Sequence, residues 1–126
     1  MQTKILGSFF AFIFGLMLFS SCAKDTLVPE GNSLNPSQTV SFANDIQPIF
    51  TKSCALSSCH NGSKAPDLSA GKAYAELMSG NYVDTLNPKQ SVIYTCMAPG
   101  GSMANFSTKT ESDYVLTWIE QGAKDN

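Results

Sequence analysis

The sequence predicts a small all-α domain that follows an N-terminal leader. Three segments place apolar residues at helical spacing, and loops rich in glycine, proline and asparagine separate them. The chain has 126 residues, and about 105 remain once the leader is set aside, so the domain can bury only a small core. Its 8 basic residues, all lysines, face 10 acidic residues, and the net charge of −2 argues against nucleic acid as a partner.

Residues 1–21 are interpreted as the signal peptide of a lipoprotein. Lys4 precedes an apolar run over residues 5–19, and two serines lie directly before Cys22. The tetrapeptide Phe19-Ser20-Ser21-Cys22 resembles a bacterial lipobox, in which the cysteine is acylated and becomes the mature N-terminus. The alternative is an uncleaved anchor, although the run is shorter than the ~20 residues of a typical membrane span.

Residues 22–39 are predicted to form a flexible tether between a membrane and a domain at 40–126. This segment contains Pro, Gly, Asn and Ser and shows no apolar periodicity. We therefore expect a protein of the bacterial cell envelope, held at the membrane by a lipid anchor, on the periplasmic or the outer surface.

The first helix is predicted within residues 40–53, where five apolar residues can share one helical stripe. Ser41 can serve as its N-cap, and Pro48 must either kink the helix or delay its start. The stripe consists of Val40, Phe42, Ile46, Ile49 and Phe50.

The segment with the most specific chemistry is Cys54-Ala55-Leu56-Ser57-Ser58-Cys59-His60. Two thiols followed at once by a histidine are typical of a covalent haem attachment site, C-x-x-C-H, here with a spacer of four residues instead of two. Cys54 and Cys59 can each add to a haem vinyl group, and His60 then lies where the proximal iron ligand is needed. His60 is the only histidine, which excludes two histidine ligands from this chain. We predict one covalently bound haem c.

A second helix is predicted over residues 70–79, with Ser69 as its N-cap and Gly80 at its end. Met78 lies on the apolar face of this helix, and we interpret it as a core residue rather than an iron ligand. Ser91 is then predicted to cap a third, short helix that contains residues 92–94.

The last helix is predicted over residues 110–121. The tetrapeptide Thr110-Glu111-Ser112-Asp113 approximates a capping box at its start, and Gly122 is expected to end it. Trp118 lies on its apolar face, and we expect it to pack this helix against the first one rather than to contact a cofactor. The other residues of this face are Tyr114, Val115 and Ile119.

Two methionines compete for the distal position on the iron. Met103 lies in a glycine-rich loop before the last helix, and glycines allow such a loop to approach a macrocycle closely. Met97 lies at the end of the third helix, where its alternative role is a core contact. We favour Met103 as the distal ligand, with Met97 as the second choice. If neither binds, the iron is five-coordinate or holds water, and the domain becomes a candidate sensor or catalyst.

The chain contains, in this order, Phe42, Asp45-Ile46-Gln47-Pro48-Ile49-Phe50, Cys54, Cys59-His60-Asn61-Gly62, Asp67-Leu68-Ser69, Ala73, Leu77, Ser91, Tyr94, Met103 and Trp118-Ile119-Glu120-Gln121-Gly122-Ala123. In this order the residues resemble the class I cytochrome c family, in particular its divergent bacterial domains. The resemblance implies a cytochrome c-like fold of about four helices around one covalent haem, with histidine–methionine ligation. It also implies electron transfer with redox protein partners. Because no acid–base pair or nucleophile stands out in the sequence, we do not expect turnover of a substrate. The chain differs from the family in its spacer and in Met103-Ala104, where relatives usually have Met-Pro.

Cys96 is left over when Cys22 carries lipid and Cys54 and Cys59 carry haem. A thiol without a partner is unusual in an exported protein, so Cys96 is either buried and inert or bonded to Cys54, with haem held through Cys59 alone. Two other functions stay open. One is a structural or interaction lipoprotein with a disulfide among Cys54, Cys59 and Cys96, and the other is a zinc module of these cysteines with His60. Adjacent Cys59 and His60 can hardly reach one tetrahedral metal together.

Overall fold

The computed structural model describes residues 34–35 and 37–126, and this part of the chain is helical and contains no strands. The all-α class predicted from the sequence is confirmed. The predicted signal peptide, Cys22 and most of the predicted tether lie outside the described residues. Within the described residues, no helix has both the length and the apolar character needed to cross a membrane. The four α-helices of this part are α1 (Gln47–Ser53), α2 (Ala73–Ser79), α3 (Val92–Met97) and α4 (Lys109–Glu120).

A π-helical turn, Phe42–Ile46, leads directly into α1. The Ser41 hydroxyl accepts a hydrogen bond from the Asn44 N–H at 3.1 Å, which confirms Ser41 as the N-cap. In a continuous α-helix, the ring of Pro48 would clash with the carbonyl four residues earlier. The wider turn before Pro48 avoids this clash, because widened turns of this kind relieve an interrupted hydrogen-bond ladder. The α-helix itself therefore begins late, at Gln47.

An aromatic cluster joins the two ends of the domain. The Phe42 ring lies 5.2 Å from the Trp118 ring and 5.3 Å from the Tyr74 ring, measured between centroids. Trp118 is 1% exposed, and its Nε1–H donates to the Lys124 carbonyl oxygen at 2.9 Å. Trp118 therefore packs α4 against the first helical segment, as predicted. The core around the cluster includes Val40, Ile46, Phe50, Leu68, Ala73, Leu77, Ile93, Met97, Val115, Ile119 and Ala123.

Hydrogen bonds to the residues after α4 fix the start of the first helical segment. The Phe42 N–H donates to Asn126 Oδ1 at 2.9 Å, and the Ala43 N–H donates to the Asn126 carbonyl oxygen at 2.9 Å. The Gln121 side chain accepts from the Val40 N–H at 2.8 Å. The two bonds to Asn126 satisfy N–H groups that have no acceptor within their own helix, and the bond to Gln121 satisfies the N–H of buried Val40 just before it.

Packing extends into the segment that the sequence predicts as a tether. Leu34 is partly buried against the core, and the Gln38 carbonyl oxygen accepts a hydrogen bond from Gln121 Nε2 at 2.8 Å. The described part of the fold thus reaches beyond the domain boundary placed at residue 40.

The starts of two helices differ from the prediction. The Ser69 hydroxyl donates to the Asp67 carboxylate instead of capping a helix, and α2 begins only at Ala73. The capping box of α4 is formed by Thr108 and Glu111, not by residues 110–113, and the helix begins at Lys109. Thr108 fits because its hydroxyl accepts from the Glu111 N–H at 3.1 Å, while the Glu111 carboxylate accepts from the Thr108 N–H at 2.8 Å.

Two further side chains behave differently from the prediction, and two helix ends agree with it. Ser91 occupies the predicted N-cap position of α3, but its hydroxyl pairs with the backbone of Asp84 and not with the helix. Met78 is 38% exposed, so its interpretation as a core residue is wrong. Gly80 and Gly122 follow α2 and α4 as predicted, and Gly122 has the positive φ of +96° that favours glycine.

Candidate functional site

A cavity of about 330 Å³ lies between residues 54–60, which we call the attachment loop after their predicted role, and the segment that begins with α3. Its lining contains Cys54, Cys59 and His60 together with both candidate distal ligands, Met97 and Met103. The structure thus brings together five side chains that the sequence predicts at a haem. The rest of the lining is mostly apolar and includes Leu56, Ala65, Pro66, Leu68, Tyr82, Val92, Ile93 and Phe106.

The attachment loop accommodates its long spacer as a compact turn. The Cys59 N–H donates to the Leu56 carbonyl oxygen at 2.9 Å, and the His60 N–H donates to the Cys54 carbonyl oxygen at 3.1 Å. With a two-residue spacer, the histidine would follow the first cysteine by four residues, the interval of an α-helical hydrogen bond. In this chain the histidine follows the first cysteine by six residues, and the two residues are still hydrogen-bonded. The additional turn includes Ser58, which is exposed and adopts a positive φ of 67°.

The orientation of the His60 ring is fixed by a backbone carbonyl. His60 Nδ1 lies 3.1 Å from the carbonyl oxygen of Pro66. Because a carbonyl oxygen can only accept, Nδ1 carries the proton, and the lone pair of the neutral ring lies on Nε2. Histidines that bind metals usually donate their second ring nitrogen in this way. The hydrogen bond therefore leaves the lone pair of Nε2 available to bind a metal ion.

The segment that supplies the Pro66 carbonyl is held by several interactions. The Leu68 N–H donates to the His60 carbonyl oxygen at 2.7 Å, which joins this segment to the attachment loop. The Asp67 carboxylate accepts from the Ser69 hydroxyl and N–H, and Lys72 Nζ lies 3.1 Å from its second oxygen. The hydrogen bonds from Ser69, followed by the Lys72 ammonium, lower the pKa of the Asp67 carboxyl. Asp67 is therefore ionised at neutral pH and stabilises the turn.

Cys54, Cys59 and Cys96 are unpaired thiols in the structure. Burial raises the pKa of the Cys54 thiol from 9.0 to about 11, and electrostatic interactions with Glu111 and then Cys59 contribute in the same direction. Cys54 is therefore a neutral thiol at physiological pH. In the part of the chain that the structure describes, no group of three or more Cys, His, Asp and Glu side chains is placed to bind a metal ion. A haem iron needs only one or two axial protein ligands.

The loop that carries Met103 folds back onto the end of α3. The Met103 N–H donates to the Cys96 carbonyl oxygen at 2.8 Å. At Gly101, a methyl group would overlap the carbonyls of Thr95 and Cys96, so only glycine permits this approach. Met103 is 38% exposed, whereas Met97 is 3% exposed and belongs to the core. Because both thioethers line the cavity, the assignment of Met103 over Met97 stays a prediction.

Several residues of the site were missed by reasoning from the sequence. The Pro66 carbonyl holds His60, and Tyr82 and Phe106 line the cavity. The interaction of Pro66 is a backbone contact across a loop, and such a contact leaves no periodic or compositional signal. Comparison of the chain with protein-family models, with curated proteins and with solved structures found no match. The functional interpretation therefore depends on the cavity and its contacts.

Proposed function

We propose that this chain is a membrane-tethered c-type cytochrome with a cytochrome c-like fold, which transfers single electrons outside the cytoplasm. The observation that carries the proposal is the composition of one cavity. Both thiols of the attachment loop, the only histidine of the sequence and two thioethers line the same space among apolar side chains. This combination is the one that covalent haem with histidine and methionine ligands requires.

The residues present fit a haem in three respects. The apolar lining suits a macrocycle, and the two thiols lie on one short loop closed by the hydrogen bond between His60 and Cys54. The His60 ring presents Nε2, because Nδ1 donates to Pro66. Cys54 and Cys59 would hold the haem through thioethers, His60 would bind the iron as proximal ligand, and Met103 would bind as distal ligand, with Met97 as the second choice.

When bound, haem supplies a one-electron couple between ferric and ferrous iron. The chain contributes the environment of that couple. The hydrogen bond to the Pro66 carbonyl makes the His60 imidazole a stronger electron donor. A thioether ligand and an apolar surrounding both favour the ferrous form, because they stabilise the smaller charge.

The proposed partners are redox proteins that exchange electrons with the haem, and we assign no catalytic residues to the chain. Cys22 is the proposed site of the lipid anchor, with the protein on the periplasmic or the outer surface of a bacterial cell envelope. The sequence motif at residues 19–22 supports this anchor, and the charge of −2 gives no basis for a nucleic acid partner.

The proposal is tested by producing the protein in cells that attach haem c and extracting it with acidified acetone. We expect haem to stay with the protein, the intact mass to increase by one haem, and the pyridine haemochrome spectrum to indicate two thioethers. A spectrum with one thioether would assign attachment to a single cysteine. A colourless protein without added mass would reject the cytochrome and favour the lipoprotein with a disulfide among Cys54, Cys59 and Cys96.

A further inference from the structure

Cys96, Met97 and Met103 form a group of sulfur side chains that we call the sulfur triplet. All three line the cavity that also contains His60. Cys96 and Met97 are adjacent at the end of α3, and the Cys96 carbonyl oxygen accepts the Met103 N–H at 2.8 Å. The proposed function needs only one sulfur of the triplet as a distal ligand, and it gives Cys96 no role.

The members of the triplet differ in how firmly the fold holds them. Met103 is 38% exposed and lies outside the α-helices, in a loop of short turns. Cys96 is only half-buried, but it belongs to α3 and is followed directly by Met97, which is 3% exposed in the core. Cys96 therefore keeps its position at the cavity when the Met103 side chain leaves.

We propose, on the basis of the function proposed above, that Cys96 is an alternative sulfur ligand, which binds ferric haem iron when Met103 is displaced. In this exchange the bond between the iron and the Met103 sulfur breaks. The Cys96 thiol releases its proton to water, and its sulfur forms the new bond to the iron. The exchange transfers no electron. Because a thiolate is negatively charged, it stabilises ferric iron more than a thioether does, so the exchange makes the protein harder to reduce.

The test compares ferric proteins with haem attached by electron paramagnetic resonance and absorption spectroscopy. We expect Met103→Ala to give the low-spin signature of a thiolate ligand, because Cys96 fills the position left by the thioether. The double variant Met103→Ala/Cys96→Ser should lose this signature and become high-spin. Cys96→Ser alone is the matched control, and its spectrum should equal that of the unmodified protein.

Two results would overturn the proposal. In the first, Met103→Ala and the double variant have the same spectrum, which shows that Cys96 does not bind. In the second, Met103→Ala keeps the methionine-ligated spectrum, which assigns the ligand to Met97. Met103→Leu keeps the apolar volume and repeats the test if Met103→Ala does not fold. A failure of the proposed function is distinguishable, because the unmodified protein would then contain no covalently attached haem.

Discussion

At the scale of single residues, burial gives the Cys54 thiol an unusual acid–base behaviour. Its pKa is raised from 9.0 to about 11, so the thiolate that reacts with electrophiles is scarce at neutral pH. At pH 8, the difference lowers the thiolate population roughly 100-fold relative to an unperturbed cysteine. The proposed attachment of haem at Cys54 would therefore depend on help from a maturation system more than on the intrinsic reactivity of the thiol.

We predict that iodoacetamide modifies Cys54 of the haem-free, folded protein slowly at pH 8, at roughly one hundredth of its rate in the unfolded chain. The rate should rise as the pH approaches 11, since the folded-state pKa lies near that value. Mass spectrometry of a quenched time course measures the rate at each cysteine. Glu111→Gln is the matched variant: it keeps the capping interaction at Thr108 but removes a negative charge, so Cys54 should react faster. Equal rates in folded and unfolded protein would contradict the prediction.

Asp67 gives the haem-free protein a second pH dependence. Its folded-state pKa lies below 3.8, so the stabilisation that it contributes is complete above pH 3.8 and is lost as the pH falls through the folded-state value. We predict that Asp67→Asn flattens the decrease of the urea unfolding midpoint below pH 3.8. Glu120→Gln, at an exposed position, is the control and should leave that decrease unchanged. The hypothesis fails if Asp67→Asn and the control have parallel pH profiles.

At the scale of elements, the capping box observed at the start of α4 differs from the predicted one, and two substitutions distinguish them. Thr108→Ala removes the hydroxyl that accepts the Glu111 N–H, and we expect it to lower the free energy of unfolding by about 1 kcal/mol. Thr110→Ala tests the box predicted at residues 110–113, and it should change stability by less than about 0.5 kcal/mol. Urea denaturation followed by circular dichroism measures both variants. The opposite ranking would restore the box at 110–113.

The loop after α3 depends on the close approach of Gly101 to the carbonyls of Thr95 and Cys96. We predict that Gly101→Ala pushes this loop away from α3, lowers stability by roughly 1–3 kcal/mol and weakens or abolishes methionine ligation in the haem-loaded protein. Ser102→Ala, at the exposed neighbouring position, should preserve both properties. Unfolding curves and the methionine-to-iron absorption band are the two measurements. Intact ligation in Gly101→Ala would show that the loop does not position the ligand.

The helices show which features of the fold can be predicted from the sequence. The apolar face of α4 was predicted correctly, because Val115, Trp118 and Ile119 recur at helical spacing and are all buried. Helix starts are less predictable, because a serine or threonine hydroxyl can form hydrogen bonds with several nearby backbone and side-chain groups. Ser69 bonds Asp67, whereas Thr108 caps α4, and no local pattern separates these outcomes.

The candidate site also contains features that could be predicted from the sequence and features that could not. The cysteines and His60 are neighbours in the chain, so their proximity could be predicted from the sequence alone. Met103 and Met97 could both be named as candidate ligands from the sequence, but the structure does not decide between them. The end of α3 places Met97 at the cavity, and the loop after α3 places Met103 at the same cavity. The hydrogen bond of His60 to the Pro66 carbonyl could not be predicted, because every residue has a backbone carbonyl and the sequence does not indicate which one accepts the bond.

At the scale of the whole molecule, Gln121 connects the end of α4 to the beginning of the fold. Its side chain accepts from the Val40 N–H and donates to the Gln38 carbonyl, both at 2.8 Å. We predict that Gln121→Ala lowers the free energy of unfolding by about 1–3 kcal/mol, because the N–H of buried Val40 loses its acceptor. Glu120→Ala, at an exposed position, is the control for urea denaturation and should cost less than about 0.5 kcal/mol. Equal costs would show that this connection does not stabilise the molecule.

The hydrogen bond between His60 and Cys54 closes the attachment loop although four residues lie between the two thiols. The spacer length and the closure of the loop can therefore be varied separately. A shortened chain without Ser57 and Ser58 would read C-x-x-C-H while retaining both bonded residues. A maturation enzyme that recognises the peptide between the thiols would distinguish the two chains as substrates. An enzyme that recognises only the shape of the closed loop would attach haem to both equally well. Comparison of the two chains therefore shows which feature the enzyme recognises.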